Sequence, residues 1–225
     1  MQYHERYPVH PDDQSEAEQV HPLEHAANGL RRLTSLLLRV YEDDRALLAV
    51  AEELEEIRDR LEKDAGTAHD SVRDGSSSDP VSGRVNALAP PLTMKVGDDG
   101  FVAASGALGL EYQGPRGMVH GGVSALLLAH VLVVAAGAEG VSAETLSIRY
   151  GQRVPLFEEL VVTGGEVERA VGRVAVRGAI TVAGSVAVSA EGRFVARADP
   201  DLSSQQMSPG GRDGRSRESP RHRPR

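Results

Sequence analysis

The chain has no cysteine and no tryptophan among its 225 residues, and only three Phe and five Tyr supply aromatic bulk. The missing thiols exclude a disulfide scaffold, a thiolate zinc site and a cysteine nucleophile, and they fit a cytoplasmic setting. With so few aromatics, the core must be built mainly from Val, Leu and Ala, and a valine-rich core points to sheet. No basic stretch followed by an apolar run occupies Met1 to Gln14, so nothing there reads as an export signal. The longest apolar stretch, Val123 to Ala138, contains Ser124 and His130 and falls short of the roughly 20 residues needed to span a bilayer. It reads as a buried helix, and no membrane span is expected.

Net charge is −8, but the segment from Pro200 to Arg225 carries six Arg against Asp201, Asp213 and Glu218, leaving −11 on the rest. An acidic body disfavours general nucleic-acid binding, so no nucleic-acid partner is expected, and a basic Ser/Gly/Pro/Arg tail reads as solvated disorder. His4, His10, His21 and His25 show no metal-ligand spacing, and neither a metal nor a cofactor is expected.

Five segments follow from the patterning. Residues 1–22 read as a disordered leader. Residues 23–64 read as a helical hairpin: Leu30, Leu33, Leu37 and Val40 recur at helical spacing, and Glu42-Asp43-Asp44 supplies a turn before Leu47, Val50, Leu54, Ile57 and Leu61. That second set alternates three and four apart, a narrow seam suited to another helix, with Glu52, Glu53, Glu55, Glu56 and Asp59 toward water. The hairpin serves either as a dimer-forming or lid-like arm or simply packs on its own domain. Residues 65–80 are a Gly/Ser/Asp linker, residues 81–198 a second module, and residues 199–225 the disordered basic tail.

In the second module, Phe101 to Leu108 alternates as a strand, and His120 to Gly137 opens on Gly121-Gly122 and stays apolar on all sides, the mark of a helix surrounded by structure. Further strands are expected over Glu144 to Tyr150, over Leu160 to Thr163, through Val174, Val176, Ile180 and Val182, and through Val186, Val188, Ala190 and Phe194. One long apolar helix among consecutive strands calls for an α+β domain, an antiparallel sheet packed on that helix.

Several short runs add a resemblance: Ser82-Gly83-Arg84 with Asn86, Ala89-Pro90-Pro91, Gly117-Met118-Val119-His120-Gly121-Gly122, Thr145 to Tyr150, Pro155-Leu156 and Glu191-Gly192-Arg193-Phe194. Together they resemble the hotdog-fold thioesterases of the phenylacetyl-CoA thioesterase (PaaI-type) family, over about Val81 to Ala198. The resemblance implies an antiparallel sheet wrapped around one long helix. It also implies hydrolysis of acyl-CoA thioesters by a homodimer or tetramer whose sites draw on both subunits. The amide at Gly121 is then the first candidate for polarising the thioester carbonyl, with Gly122 beside it and His120 orienting the loop. A helix N-terminus supplies the free amides and positive dipole end that a developing oxyanion needs.

Two departures follow. Family members carry Asp or Glu nine residues after that histidine, where this chain has Ala129, which can neither take a proton nor attack. His130 stands one residue later but should point about 100° away around the helix, so it reads as structural. Ser124 has no visible base, and Glu111, Glu139 and Glu144 are loop carboxylates of unassigned reach. Second, where the family reads Tyr-x-Arg-Pro-x-Pro, this chain reads Tyr150-Gly151-Gln152-Arg153-Val154-Pro155. Arg153, with Arg149 as neighbour, is a candidate for CoA phosphate. The expectation is an acyl-CoA thioesterase-like protein that binds and hydrolyses its thioester weakly at best. The alternatives are a non-catalytic acyl-thioester-binding or regulatory subunit and a purely structural interaction protein. Deleting residues 1–22 and 200–225 together is expected to leave the thermal midpoint nearly unchanged in a melting scan; a large drop would show that one end docks.

Overall fold

The computed structural model describes residues 21–40, 44–65, 78–137 and 141–196. Most of the expected leader and linker, the basic tail, Glu42-Asp43 and Glu139 lie outside the described residues. Two helices come first, α1 (Pro22–Leu37) and α2 (Asp44–Glu62). Then come β1 (Thr93–Val96), β2 (Val102–Ala107), a short 3₁₀ turn at Leu110–Tyr112, α3 (Gly121–Ala136), β3 (Val141–Tyr150), β4 (Glu159–Ala170), β5 (Arg173–Val182) and β6 (Ser185–Ala196). The strands form one six-stranded sheet in the order β1-β2-β4-β5-β6-β3, antiparallel throughout. With α3 cradled by that sheet, this is a hotdog fold.

Local chemistry sets the elements. α3 starts where His120 leaves the helical region and ends at Gly137, whose φ of 111° is a left-handed stop that a side chain would resist. The β5–β6 hairpin closes through Ala183 and Gly184, both at positive φ, as a two-residue turn whose twist matches the strands. The core lies between α3 and the sheet: Leu127, Leu128, Val131 and Leu132 meet Val102, Leu160, Val162, Val176, Ile180, Val188 and Phe194, all buried.

This sheet can close on a helix only because side chains are missing where the two meet. A Cβ on Gly178 would lie 2.4 Å from the Thr163 carbonyl oxygen and 3.0 Å from a Leu132 methyl; one on Gly164 would lie 2.8 Å from a Val131 methyl. Gly164 and Gly178 are opposite each other in the β4–β5 pair.

Three expectations need correction. Val186 does not point inward with Val188 but is 54% exposed. Ile180 pairs with Val188 while Thr181 pairs with Val186, so Ala187 is an extra residue and the bulge flips the strand's alternation. The Ala187 carbonyl then accepts the N–H groups of Gly151 (3.0 Å) and Gln152 (2.8 Å), tying down the chain that leaves β3. Second, β4 runs on from Thr163 to Ala170; its far half is exposed beyond the helix, so it shows no apolar alternation. Third, α3 is not covered on every side. Gly122 and Leu126 are exposed and Ala129 and Val133 half-buried, a stripe at helical spacing that the chain's own sheet leaves open.

α1 docks on the domain by a polar face. Ala27 is buried, and the Arg31 guanidinium donates to the carbonyls of Ala89 (3.0 Å) and Asn86 (2.5 Å) and to Asn28 Oδ1 (2.7 Å). The apolar residues read as the periodic face of α1 therefore point away from the domain.

Gly178→Ala is expected to cost about 1–3 kcal/mol in chemical denaturation, because backbone cannot retreat from the new methyl. Gly29→Ala in α1, where nothing lies within 4 Å, is expected to gain up to about 1 kcal/mol of helix stability.

Candidate functional site

The loop before α3 is held from both sides. His120 N–H donates to the Tyr112 carbonyl (2.8 Å) and Val119 N–H to the Val154 carbonyl (2.8 Å), while Gly114 N–H reaches Met118 (2.9 Å). Gly117 takes φ of 74° and gives its N–H to the Gln113 side chain (2.9 Å). The chain beyond β3 thus aligns the start of α3.

At that start, each early amide has a traceable destination. His120 Nδ1 accepts the Gly122 N–H at 3.0 Å, and the His120 carbonyl accepts from Val123 (2.9 Å) and Ser124 (3.2 Å). The Gly121 N–H has no acceptor among the described residues. The ring of His120 therefore caps the helix through an unprotonated Nδ1. It also corrects the expectation for Gly122, whose amide is already used and is not a second oxyanion donor. Behind Gly121 the Tyr150 hydroxyl donates to the Gly121 carbonyl at 3.0 Å, and the tyrosine ring lies 3.5 Å from where a Gly121 Cβ would stand. Sequence reasoning missed this contact, because Tyr150 and Gly121 meet only through the fold.

Ala129 lies on the open stripe of α3, two turns beyond Gly122. His130 turns the other way: its Nδ1 is 3.8 Å from Asp79 Oδ1, and it lines a cavity of about 10 Å³ with Val81, Ser82, Leu92, Met94 and Leu127, room for about one water. It is a histidine of the packed side, as the helical angle requires. Ser124 is buried and lies off the open stripe. Glu144 pairs with Arg173 at 3.5 Å. Glu111, in the 3₁₀ turn, buries one carboxylate oxygen, Oε2, with no hydrogen-bond partner. Its neighbour Tyr112 is pushed up to about 12, by burial first and by the Glu111 charge second, against the opposing pull of Arg31. Arg149 and Arg153 are exposed and make no ion pair among the described residues.

Asp79 is a residue that the sequence reading passed over, although an Asp-Pro pair after a serine run is a turn signal. Its Oδ1 accepts the N–H groups of Val81 (2.7 Å) and Ser82 (2.9 Å) and the Ser82 hydroxyl (3.3 Å). Burial pushes its pKa up, but the two backbone donors, then His130 and the Ser82 hydroxyl, outweigh that and hold it below the ordinary aspartate value.

No group of three or more His, Asp or Glu among the described residues is placed to hold a metal, and no described helix is long and apolar enough to cross a membrane.

The architecture and helix start define a class, hotdog proteins that present a backbone amide on an open helix face. The chain belongs to the thioesterase superfamily: it is 39% identical to protein RHA08564, a thioesterase superfamily protein, over 78% of this chain and 95% of that one, with a TM-score of 0.70. Residues 15–70 match the family described as hypothetical protein RHA1_ro05818, N-terminal helical domain. More distant likenesses include a hypothetical thioesterase with coenzyme A from Streptococcus pneumoniae TIGR4 (18% identity, 48% of this chain and 91% of that one, TM-score 0.44). Another is the E. coli PaaI protein from the phenylacetic acid degradation operon (14%, 48% and 80%, TM-score 0.45). At that distance neither informs the chemistry of this chain. No curated protein matches it significantly.

Asp79→Ala is expected to cost about 1 kcal/mol at neutral pH, the loss of a multiply bonded turn acceptor. Because the folded-state pKa is depressed, this stabilisation is fully present above the ordinary aspartate value of about 4 and is lost as pH falls through the lower folded value. Denaturation curves of the two forms should therefore converge in acid.

Proposed function

We propose that this protein binds an acyl-CoA thioester with the thioester carbonyl oxygen on the Gly121 N–H, and that Ala129 makes it a binder of thioesters and at best a slow hydrolase. The observation that carries this reading is the Gly121 amide, left without an acceptor among the described residues at the positive end of a helix dipole. Glycine there lets a substrate carbonyl approach the backbone, and the Tyr150 hydroxyl on the Gly121 carbonyl steadies that peptide.

Hydrolysis needs a second component, a group to activate water or attack the carbonyl. That position on the open stripe is Ala129, with a methyl group. One aligned donor is worth about 10²- to 10³-fold and general acid-base help about 10²- to 10⁴-fold, so the site retains one part of two. Glu111 is the nearest carboxylate in sequence to the loop, but half of it is buried beside Tyr112 and Arg31. Arg149 and Arg153, exposed and without ion-pair partners among the described residues, are the proposed contacts for CoA phosphate.

The cleft in this reading is completed by a second copy, as a homodimer or tetramer. The uncovered stripe of α3 and the open outer edge of β3, with Leu146 and Tyr150 exposed, support this, since a long bare edge strand and an apolar helix face are surfaces proteins cover. A cytoplasmic setting, where CoA thioesters are handled, belongs to the same proposal, as does the division into a helical segment at 23–64 and a hotdog domain at 81–198. The Ala129 substitution favours the non-catalytic binding or regulatory form over efficient hydrolysis.

The test measures binding by calorimetry and turnover for benzoyl-, phenylacetyl- and medium-chain acyl-CoA. The native chain is expected to bind and to turn over far below the typical enzyme median of about 10 s⁻¹. Ala129→Asp is expected to raise kcat/KM by about 10²- to 10⁴-fold. Adding Gly121→Pro should then remove about 10²- to 10³-fold, because proline suits the first helical position but has no N–H. Native turnover near the median would overturn the role given to Ala129, and absence of binding in both forms would overturn the acyl-CoA reading.

A further inference from the structure

Among the described residues, two that are not glycine adopt positive φ. Ala183 (47°) belongs to the β5–β6 hairpin turn, whose geometry calls for it. Phe157 (65°) is different. It stands in the turn leading into β4, where glycine would sit unstrained, and a bulky side chain is a rare occupant of that backbone region. No core contact offsets the strain, because the ring is 57% exposed and takes no part in the buried cluster.

The main chain holds Phe157 in that conformation from both sides. Its N–H donates to the Leu108 carbonyl (2.9 Å), and the Leu156 N–H donates to the Gly117 carbonyl (3.0 Å). With the Val119 N–H on the Val154 carbonyl and the bridge between Met118 and Pro155, residues 117–119 and 154–156 form a short antiparallel ladder. One end of the ladder leads through Val119 to His120 and Gly121. Extending its register the other way sets Arg116 opposite Phe157, and both are exposed. Arg116 is at the tip of the turn that the Met118 N–H closes on the Pro115 carbonyl (2.8 Å), and it makes no ion pair among the described residues.

An exposed ring and an exposed guanidinium on a pinned rim suit one portion of an acyl-CoA thioester. CoA is a pantetheine arm ending in a 3′-phosphorylated ADP. Its adenine has a flat face that stacks on aromatic rings, and its phosphates are the kind that arginine meets bidentately. Arg116 and Gly121 are five residues apart, so no more than about 18 Å separates them, a distance the pantetheine arm can bridge. Glu158 and Glu159 follow the ring and disfavour a phosphate at Phe157 itself. They do not oppose adenine, which is neutral and whose exocyclic amine is a hydrogen-bond donor.

We propose that Phe157 is a stacking platform for the adenine of CoA, with Arg116 across the ladder from it for phosphate, so that this rim recognises the nucleotide end of the ligand while Gly121 holds the thioester end. The inference rests on the acyl-CoA reading given above and deepens it by naming the residue that reads the adenine. The strained turn fixes where the ring stands. Glycine at this position would relieve the strain and remove the platform, so stability and ligand affinity pull in opposite directions at one residue.

The test compares the full native chain with Phe157→Gly and Phe157→Tyr. Calorimetry measures binding of the acyl-CoA that the native chain binds best and of the pantetheine thioester of the same acyl group. Phe157→Gly is expected to raise the thermal midpoint by about 2–4 °C. It is also expected to weaken acyl-CoA binding by about 5- to 150-fold, the range that stacking of one base covers, with acyl-pantetheine binding unchanged. Phe157→Tyr is expected to keep the native affinity. Arg116→Gln is expected to weaken acyl-CoA binding by an amount that shrinks as salt is added, again sparing acyl-pantetheine; no effect would overturn the role given to Arg116. A lower midpoint in Phe157→Gly would make the ring structural, and an altered mass in light scattering would make it a subunit contact; either overturns the proposal. So would an unchanged affinity for acyl-CoA in Phe157→Gly, or an equal loss for acyl-pantetheine. Those outcomes leave the Gly121 reading standing, whereas a native chain that binds neither ligand overturns both.

Discussion

Everything in this molecule depends on getting one apolar helix inside one sheet. α3 has no polar side strong enough to face water, and burying side chains such as Leu128, Leu132 and Val131 is worth about 1.5–3 kcal/mol each. The sheet can deliver that burial only by curving around the helix and touching it. Contact occurs where β4 and β5 have no side chain, at Gly164 and Gly178, so that Val131 and Leu132 press on backbone. Glycine weakens a strand locally, and here that cost is offset by the closeness of the helix.

The same constraint creates the site. A helix held inside a sheet has its N-terminus held in place, and the loop feeding it is pinned to Tyr112, Val154 and Tyr150. His120 and the helix's own hydrogen bonds then satisfy the early amides except, among the described residues, that of Gly121. A free N–H in a rigid frame is a donor that needs no reorganisation when charge develops opposite it. The open stripe through Leu126, Ala129 and Val133 runs from that amide along the one face the sheet does not reach.

The N-terminal arm follows the opposite logic. Its attachment is polar and specific, a guanidinium among main-chain carbonyls beside the buried Ala27, while Leu23, Leu30 and Leu36 are exposed. Helix-period hydrophobicity usually marks the side turned toward a chain's own core. In α1 it marks the side turned away, because Arg31 finds on the 83–89 segment a set of carbonyl acceptors that no leucine could satisfy.

Much was legible in the sequence because it depends on neighbours along the chain. The limits of α3, the strand through Val174 to Val182 and the alanine at position 129 are all local statements about period, capping and residue identity. The position of His130 followed from helical geometry alone. Tertiary structure decided the rest. The bulge at Ala187 reversed the facing of Val186, since register belongs to a pair of strands. The pairing of His130 with Asp79 and the hydroxyl of Tyr150 on Gly121 join residues far apart in sequence. The choice between Gly121 and Gly122 turned on where one imidazole nitrogen points. Periodicity specifies which residues can share a face, whereas what that face meets is settled only when distant segments compete for the same hydrogen-bonding groups and the same space.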